Sequence, residues 1–271
     1  MSDIVTCGVD IGSSTSKCVV LRNGKEILSK SVVPVGAGTT GPARCIAMAM
    51  EACGKQLSDM ACICSTGYGR NSLREANFEV SELTCHAKGA YALFPDVRTL
   101  LDIGGQDVKA MKIGPNGRLL NFVMNDKCAA GTGRFLDVMA RVLEVSVSDL
   151  AALSEQSTKQ VTISSTCTVF AESEVISHLS NHENISDIIA GIHRSVASRA
   201  VGLVKRVGIE ERVVMTGGVA QNAGVVRCIE LGVGTKINVS PLSQVVGAFG
   251  AATLAYERAT EQVLAASSKE E

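Results

Sequence analysis

The chain is 271 residues long, 46% hydrophobic and 20% charged, with a formal net charge of −1, which suits one two-lobed globular protein or two modest domains. Its lysines and arginines are scattered and only 3% of residues are aromatic, so there is neither a basic stripe nor a stacking platform for nucleic acid. No apolar run reaches the ~20 residues of a membrane span and the N-terminus has no secretory leader, so the expectation is a cytoplasmic protein that binds neither nucleic acid nor membrane.

The first informative stretch in chain order is VDIGSSTSKCVVL at 9–21. A strand ends in Asp10-Ile11-Gly12, a turn runs through Ser13, Ser14, Thr15 and Ser16, and a second strand begins at Lys17. LDIGGQDVKAMKI at 101–113 repeats it at a constant offset of 92, so that Asp10 matches Asp102, Gly12 matches Gly104 and Lys17 matches Lys109. Asn23-Gly24 and Asn116-Gly117 then supply turn signals, which predicts one β-meander used twice.

Two such meanders imply an α/β fold of two related lobes with a cleft between them. Glycine- and hydroxyl-rich turns there can aim backbone N–H groups at phosphate oxygens. Asp10 and Asp102 are candidate Mg²⁺ holders, largely through water, and Lys17 can neutralise phosphate charge. Neither turn is a Walker A loop or a GxGxxG fingerprint. Gln106 and Asp107 stand where the first copy has Ser14 and Thr15, and are the candidates for positioning a hydrolytic water.

In a reducing compartment ten cysteines are core residues or ligands, not a disulfide framework. Cys7, Cys18, Cys45, Cys53, Cys62 and Cys64 lie in apolar runs and are expected in the core. Cys128 and Cys167 differ: MNDKCAAGTGRF and ISSTCTVF place each in a polar stretch before an amphipathic helix, where free N–H groups and the helix dipole favour a thiolate. Val169, Phe170, Ile176 and Leu179 are the expected core contacts of the second helix. Two thiols are too few for a tetrahedral zinc site or an iron–sulfur cubane, but a twofold dimer presents the pair twice. Two exposed thiols with no ligand are the competing reading. His178 and His182 are expected on a solvated helix face.

Towards the C-terminus, 186–207 reads as a long helix with Ile188, Ile192, Val196, Ala200, Leu203 and Val207 on its apolar side. RVVMTGGVAQNAGVV at 212–226 is a strand, a Gly217-Gly218 turn that lets a planar group approach, and a helix, with Gln221 and Asn222 offering polar contacts to an adenosine. Gly247, Gly250, Ala251 and Ala252 permit a close helix crossing, which suits a hinge between lobes and equally a well-packed helix.

VDIGSSTSK, TGYGR, LDIGGQD, NDKCAAGTGRFLDVMA, SSTCTVFAESEVISHLS, AGIHRSVASR and MTGGVAQN resemble the activator component of 2-hydroxyacyl-CoA dehydratases. That family includes the ATPase subunits of benzoyl-CoA reductase and lies within the acetate and sugar kinase, Hsp70 and actin superfamily. The resemblance implies ribonuclease H-like lobes, 1–96 with 246–271 and 97–245, and an oxygen-sensitive homodimer with one 4Fe-4S cluster held by Cys128 and Cys167 of both subunits. It implies ATP or ADP with Mg²⁺ in each cleft: Gly12, Ser13, Ser14, Thr15, Ser16 and Lys17 with Gly104, Gly105 and Gln106 at the phosphates, and Gly217, Gly218, Gln221 and Gln244 at the nucleoside. It further implies reduction by ferredoxin or flavodoxin and ATP-coupled transfer of one electron to a dehydratase, of the 2-hydroxyglutaryl-CoA type. The alternatives are a small-molecule kinase of the superfamily, a benzoyl-CoA-reductase-type ATPase subunit and a chaperone-type module without a redox cofactor.

Overall fold

The computed structural model describes residues 3–164 and 167–267. The chain divides into two compact units. Unit 1 comprises Met1–Pro95, Gly114–Leu119 and Val245–Glu271; unit 2 comprises Asp96–Ile113 and Leu120–Gln244.

Unit 1 holds β1 (Val5–Ile11), β2 (Ser16–Arg22), β3 (Glu26–Val33), α1 (Gly41–Cys53), β4 (Cys62–Thr66), β5 (Phe78–Glu79), α2 (Glu82–Leu93) and the C-terminal α8 (Val246–Ser267). Its sheet has the order β3-β2-β1-β4-β5, antiparallel through the meander and parallel from β1 through β4 to β5. β1 is buried along its whole length, as a central strand covered by helices on both faces must be; α1 and α8 both pack on it. Gly8 of β1 lies under α8, where a Cβ would be 3.0 Å from the Ala251 carbonyl carbon, and a Cβ on Gly250 would be 2.8 Å from the Gly89 nitrogen of α2. The small residues of α8 therefore serve close packing inside unit 1, as the well-packed reading of their spacing allows. Cys7, Cys18, Cys45, Cys62 and Cys64 are buried as expected and Cys85 joins them, whereas Cys53, at the end of α1, is only half-buried.

Unit 2 repeats the plan with β6 (Thr99–Ile103), β7 (Val108–Ile113), β8 (Leu119–Asn125), β9 (Val213–Thr216) and β10 (Ile237–Val239), in the order β8-β7-β6-β9-β10. Between β8 and β9 it carries α3 (Gly133–Val142), α4 (Leu150–Ser154), α5 (Thr168–Ser180) and α6 (Ile185–Val207), and between β9 and β10 lies α7 (Ala223–Val233). The predicted α/β fold with a duplicated meander is thus present, and both Asn-Gly signals are realised with positive φ at Asn23, Gly24, Asn116 and Gly117, the backbone a tight hairpin turn needs. All six predicted apolar positions of α6 are buried.

On α5 the expectation fails. Val169, Phe170 and Ile176 are 66%, 65% and 50% exposed, because the helix packs through Ala171 and Val175 and only Leu179 of the predicted set leans on the core. His178 lies on α5, but the helix ends at Ser180 and His182 has φ 55°, so the two histidines share no helix face.

Candidate functional site

The two copies of the Asp-Ile-Gly segment close identically. Gly12 N donates to Thr15 O at 3.0 Å and Gly104 N donates to Asp107 O at 3.0 Å, the same pair of positions at offset 92. Register then sets Asp10 opposite Lys17 and Asp102 opposite Lys109. Ser13, Ser14 and Thr15 stay half-exposed on the turn, whereas Ser16 is buried and its hydroxyl donates to Val35 O at 2.8 Å.

A second pairing, not apparent from the sequence, completes each copy. β4 runs parallel to β1 with Thr66 beside Asp10, and β9 runs parallel to β6 with Thr216 beside Asp102. Each threonine is followed by a glycine, Gly67 or Gly217, with φ +87°. A Cβ at Gly67 would be 2.5 Å from Asp10 Oδ1, and one at Gly217 would be 3.0 Å from Asp102 Oδ1. Only glycine lets the chain turn away this close to the aspartate. The signal was Thr-Gly after an apolar strand in both halves, hidden because α3 to α6 lengthen the second copy.

The copies differ in polar satisfaction. In unit 2, Thr216 Oγ1 donates to Asp102 Oδ1 at 2.9 Å, and the fully buried Lys109 reaches Asp107 Oδ1 at 2.7 Å and Asp102 Oδ2 at 3.6 Å. Asp107 is only 4% exposed and its carboxylate is paired with the Lys109 ammonium, while Gln106 is exposed. In unit 1, Lys17 Nζ lies 3.1 Å from Asp10 Oδ2, but Asp10 Oδ1 and Thr66 Oγ1 are buried with no partner among the described residues. A buried carboxylate oxygen left unsatisfied is costly. Hard oxygen donors of this kind suit Mg²⁺ and its waters.

Directly after the end of β9, Gly217, Gly218, Gln221 and Gln244 come together. Gly217 N donates to Ser243 O at 2.9 Å, Gln221 Nε2 donates to Gln244 Oε1 at 3.3 Å, and Gly218 is exposed beside them. Asn222, expected to face a nucleoside, is turned inward instead. It is 9% exposed, its Oδ1 caps α7 by accepting from Val225 N at 3.1 Å, and its Nδ2 lies 3.1 Å from His193 Nε2.

The two ligand-candidate cysteines occupy unlike places. Cys167 is the N-cap of α5 with extended backbone, as the sequence suggests; Ser165 and Thr166 before it lie outside the described residues. Cys128 does not stand at a helix start. α3 begins at Gly133 with Thr132 as N-cap, and its first amides donate elsewhere: Gly133 N to Gly104 O and Arg134 N to Gly105 O, both at 2.9 Å. The first two amides of α3 are therefore bonded to the glycine turn at 104–105 and are not offered to a thiolate at 128. Cys128 sits in the preceding loop, half-buried against the core of unit 2, with Asn125 Nδ2 donating to its carbonyl at 3.3 Å and Thr132 Oγ1 donating to Ala129 O at 2.6 Å. Cys53 is bonded into its own helix, and the thiol of Cys228 is pushed up by burial. Among half-buried cysteines, Cys128 and Cys167 are thus the pair set in loop and cap positions.

The model of the BadF/BadG/BcrA/BcrD ATPase family matches residues 7–255. The chain belongs to that family. Among its members, the (R)-2-hydroxyglutaryl-CoA dehydratase activating ATPase of Acidaminococcus fermentans is 60% identical over 95% of this chain and 99% of its own; the crystal structure of that organism's dehydratase component A superposes with a TM-score of 0.92 over the same shares. The activator of 2-hydroxyisocaproyl-CoA dehydratase from Clostridium difficile, solved with bound ADPNP, is 51% identical with a TM-score of 0.94, covering 99% of this chain and 98% of that one. A ROK family glucokinase from Streptomyces griseus, 14% identical with a TM-score of 0.58 over 93% of this chain and 99% of its own, shares the fold alone. The chain is an α/β protein built on two five-stranded sheets. Among the described residues no helix is long and apolar enough to cross a membrane.

Proposed function

We propose that this protein is a cytoplasmic, ATP-hydrolysing activator of a 2-hydroxyacyl-CoA dehydratase, of the 2-hydroxyglutaryl-CoA type, working as an oxygen-sensitive homodimer that passes one electron to its partner after reduction by ferredoxin or flavodoxin. The identity to named activators over nearly whole chains supports this reading, and the bound ADPNP in one of them supports nucleotide binding. Gly12 to Lys17 and Gly104 to Gln106 hold phosphates by backbone amides and, at Lys17, by charge. Gly217, Gly218, Gln221 and Gln244 hold the nucleoside, and Asn222 holds their turn. Asp10 Oδ1 and Thr66 Oγ1, both buried and unpartnered, are the oxygens that fit Mg²⁺ and its water; Asp102, already bonded to Thr216, takes the smaller part.

For an iron–sulfur cluster the donor set also fits. Cys128 and Cys167 are neither core thiols nor bonded within helices, and a twofold dimer doubles them to four. When bound, such a cluster supplies a low-potential one-electron relay tuned by charge, hydrogen bonding and exposure. The exposed Val169, Phe170 and Ile176, on the helix capped by Cys167, form an apolar surface that suits the partner copy.

One observation carries the coupling of nucleotide to cysteine: the amides of Gly133 and Arg134 bond directly to the carbonyls of Gly104 and Gly105. A shift of the phosphate turn must move the start of α3 and, through Thr132 and Ala129, the loop of Cys128. Making a one-electron donor more reducing by ~0.3 V costs about 7 kcal/mol, beyond what a few rearranged hydrogen bonds supply and within reach of nucleotide hydrolysis. Anaerobic purification and iron and sulfide analysis test the reading. The expected result is about four irons per two chains, lost in Cys128→Ser and Cys167→Ser and kept in Cys53→Ser. A colourless protein after reconstitution that phosphorylates a small acid or sugar would replace this reading with the kinase.

A further inference from the structure

His193 belongs to the segment AGIHRSVASR and stands in the middle of α6. It is 1% exposed. Its ring is wedged against α7: a Cβ built on Gly224 would contact Nδ1, would come within 2.6 Å of Cε1, and would also sit 2.9 Å from Ser154 Oγ of α4. Gly224 is thus the space that admits the imidazole, and Nε2 is left facing the Asn222 side chain at 3.1 Å.

The chemistry of Asn222 fixes the roles in that contact. Its Oδ1 accepts from Val225 N to cap α7, so the other end of the amide is the NH₂ donor. A donor aimed at Nε2 requires a lone pair there, hence a neutral ring with its proton on Nδ1. The charged groups around the ring agree. Burial, Arg227 of α7 and Arg194 of α6 hold the imidazole down to about 4, and Arg227 is itself paired with Glu155 at 2.8 Å. Asn222 is also the last residue of the turn: its amide donates to Val219 O at 3.0 Å, and Ala220 N donates to Gly217 O at 3.3 Å.

We infer that His193 is a positioning residue for the nucleoside turn: its unprotonated Nε2 accepts from Asn222 Nδ2 and ties residues 217–222 to α6. The inference rests on the reading of that turn as the nucleoside end of the site. Without the acceptor, Asn222 keeps a buried donor unsatisfied and the turn loses its fixed orientation, so nucleotide binding weakens while residues at the phosphates are untouched. α6 also packs on α5, the helix that Cys167 caps, so the tie runs from the nucleoside turn to the helix layer carrying that cysteine.

The test uses the full-length protein, mant-ADP with Mg²⁺ as probe, and five variants. His193→Leu fills the space without an acceptor; it is expected to weaken mant-ADP binding about tenfold and to raise KM for ATP more than it lowers kcat. His193→Gln, which offers an amide oxygen near the Nε2 position, is expected to recover most of that loss. The chain has four histidines, so ¹⁵N-histidine spectra resolve the ring directly: His193 should show a protonated Nδ1 and a bare Nε2 at neutral pH. Asn222→Asp keeps the cap but presents an acceptor, and should move the proton to Nε2; this measurement stands even if His193→Leu does not fold. A protonated Nε2 in the native protein, no tautomer change in Asn222→Asp, or native mant-ADP affinity in His193→Leu each overturns the inference. If Gln244→Ala and Gly218→Val also bind mant-ADP as the native protein does, the nucleoside reading of the turn falls together with it; if those two weaken binding and His193→Leu does not, only the inference falls.

Discussion

Gly217→Ala should be among the most damaging single-methyl additions in the molecule. Gly217 has φ 87° and ψ 173°, a region occupied essentially by glycine alone and costing about 1–3 kcal/mol for any other residue. The added Cβ would also be driven into the Ile103 carbonyl, 2.7 Å from its carbon, and would sit 3.0 Å from Asp102 Oδ1. Both obstacles belong to the end of the buried strand β6, which cannot retreat without loosening the Thr216–Asp102 hydrogen bond. Strain and displacement together give about 3–4 kcal/mol. Gly38 supplies the control, since its φ is +76° but a methyl added there would meet no atom within 4 Å, so Gly38→Ala carries the conformational term alone, about 1 kcal/mol. Urea and thermal unfolding without nucleotide separate the two. At roughly 2–4 °C per kcal/mol for a chain of this size, Gly217→Ala should lower Tm by about 6–15 °C and Gly38→Ala by about 2–4 °C. Equal midpoints for the two variants would refute the argument that close approach of Thr-Gly to the aspartate is what demands glycine.

Three further outcomes follow from other contacts. Gly133→Ala puts a methyl 3.2 Å from Gly104 O and 3.4 Å from Gly105 Cα, and because both belong to a closed turn, α3 has to move; activation of a dehydratase should fall more than ATP hydrolysis, and a parallel fall would show that the contact does not couple the two. Lys17→Ala strips the ion pair from a buried Asp10, so nucleotide affinity by calorimetry and thermal stability should both drop; adding Asp10→Asn should restore stability but not affinity. The carboxylate of Asp187 accepts from Lys159 N, Ser157 Oγ and Thr158 N at 2.7–2.8 Å, and these bonds, the Lys159 amide foremost, hold it below the usual aspartate range. Its contribution is therefore complete above the unfolded value of ~3.9 and is lost as pH falls below it. Acid unfolding of Asp187→Asn should show a shallower pH dependence below about pH 4 than the native protein.

What was legible in the sequence is what depends on spacing along one strand. The offset of 92 carried both Asp–Lys pairs and both turns between them, and an Asn-Gly pair then marked the hairpin in each copy, because β register has a period of two and admits no slippage once one face is buried. What was hidden depends on partners distant in sequence. Gly131-Thr132-Gly133 reads as a polar run into a helix starting nearer Cys128; the helix starts later because the Gly104 and Gly105 carbonyls supply partners for its first amides. Phe170 and Val169 read as core, yet α5 buries its small residues, so hydrophobicity alone picked the wrong face. Asn222 reads as a polar contact at a glycine turn, and only His193, far off in sequence, shows that both ends of its amide face inward.

The same frame, used twice, has been completed differently in each unit. In unit 2 the aspartate receives the Thr216 hydroxyl, and its lysine is held by a second aspartate, Asp107; that turn is braced, and its outward carbonyls engage α3. In unit 1 position 107 corresponds to Thr15, which supplies no carboxylate; Lys17 pairs with Asp10 Oδ2, and Asp10 Oδ1 is left buried and unpartnered among the described residues, as is the hydroxyl of Thr66. On the function proposed above, the braced turn would pass displacement to α3 and the unsatisfied oxygen would take the cation, so the two copies of the frame would divide the work of the nucleotide. The substitution that separates them is small: a threonine in one copy and an aspartate in the other decide which lysine is locked into the core.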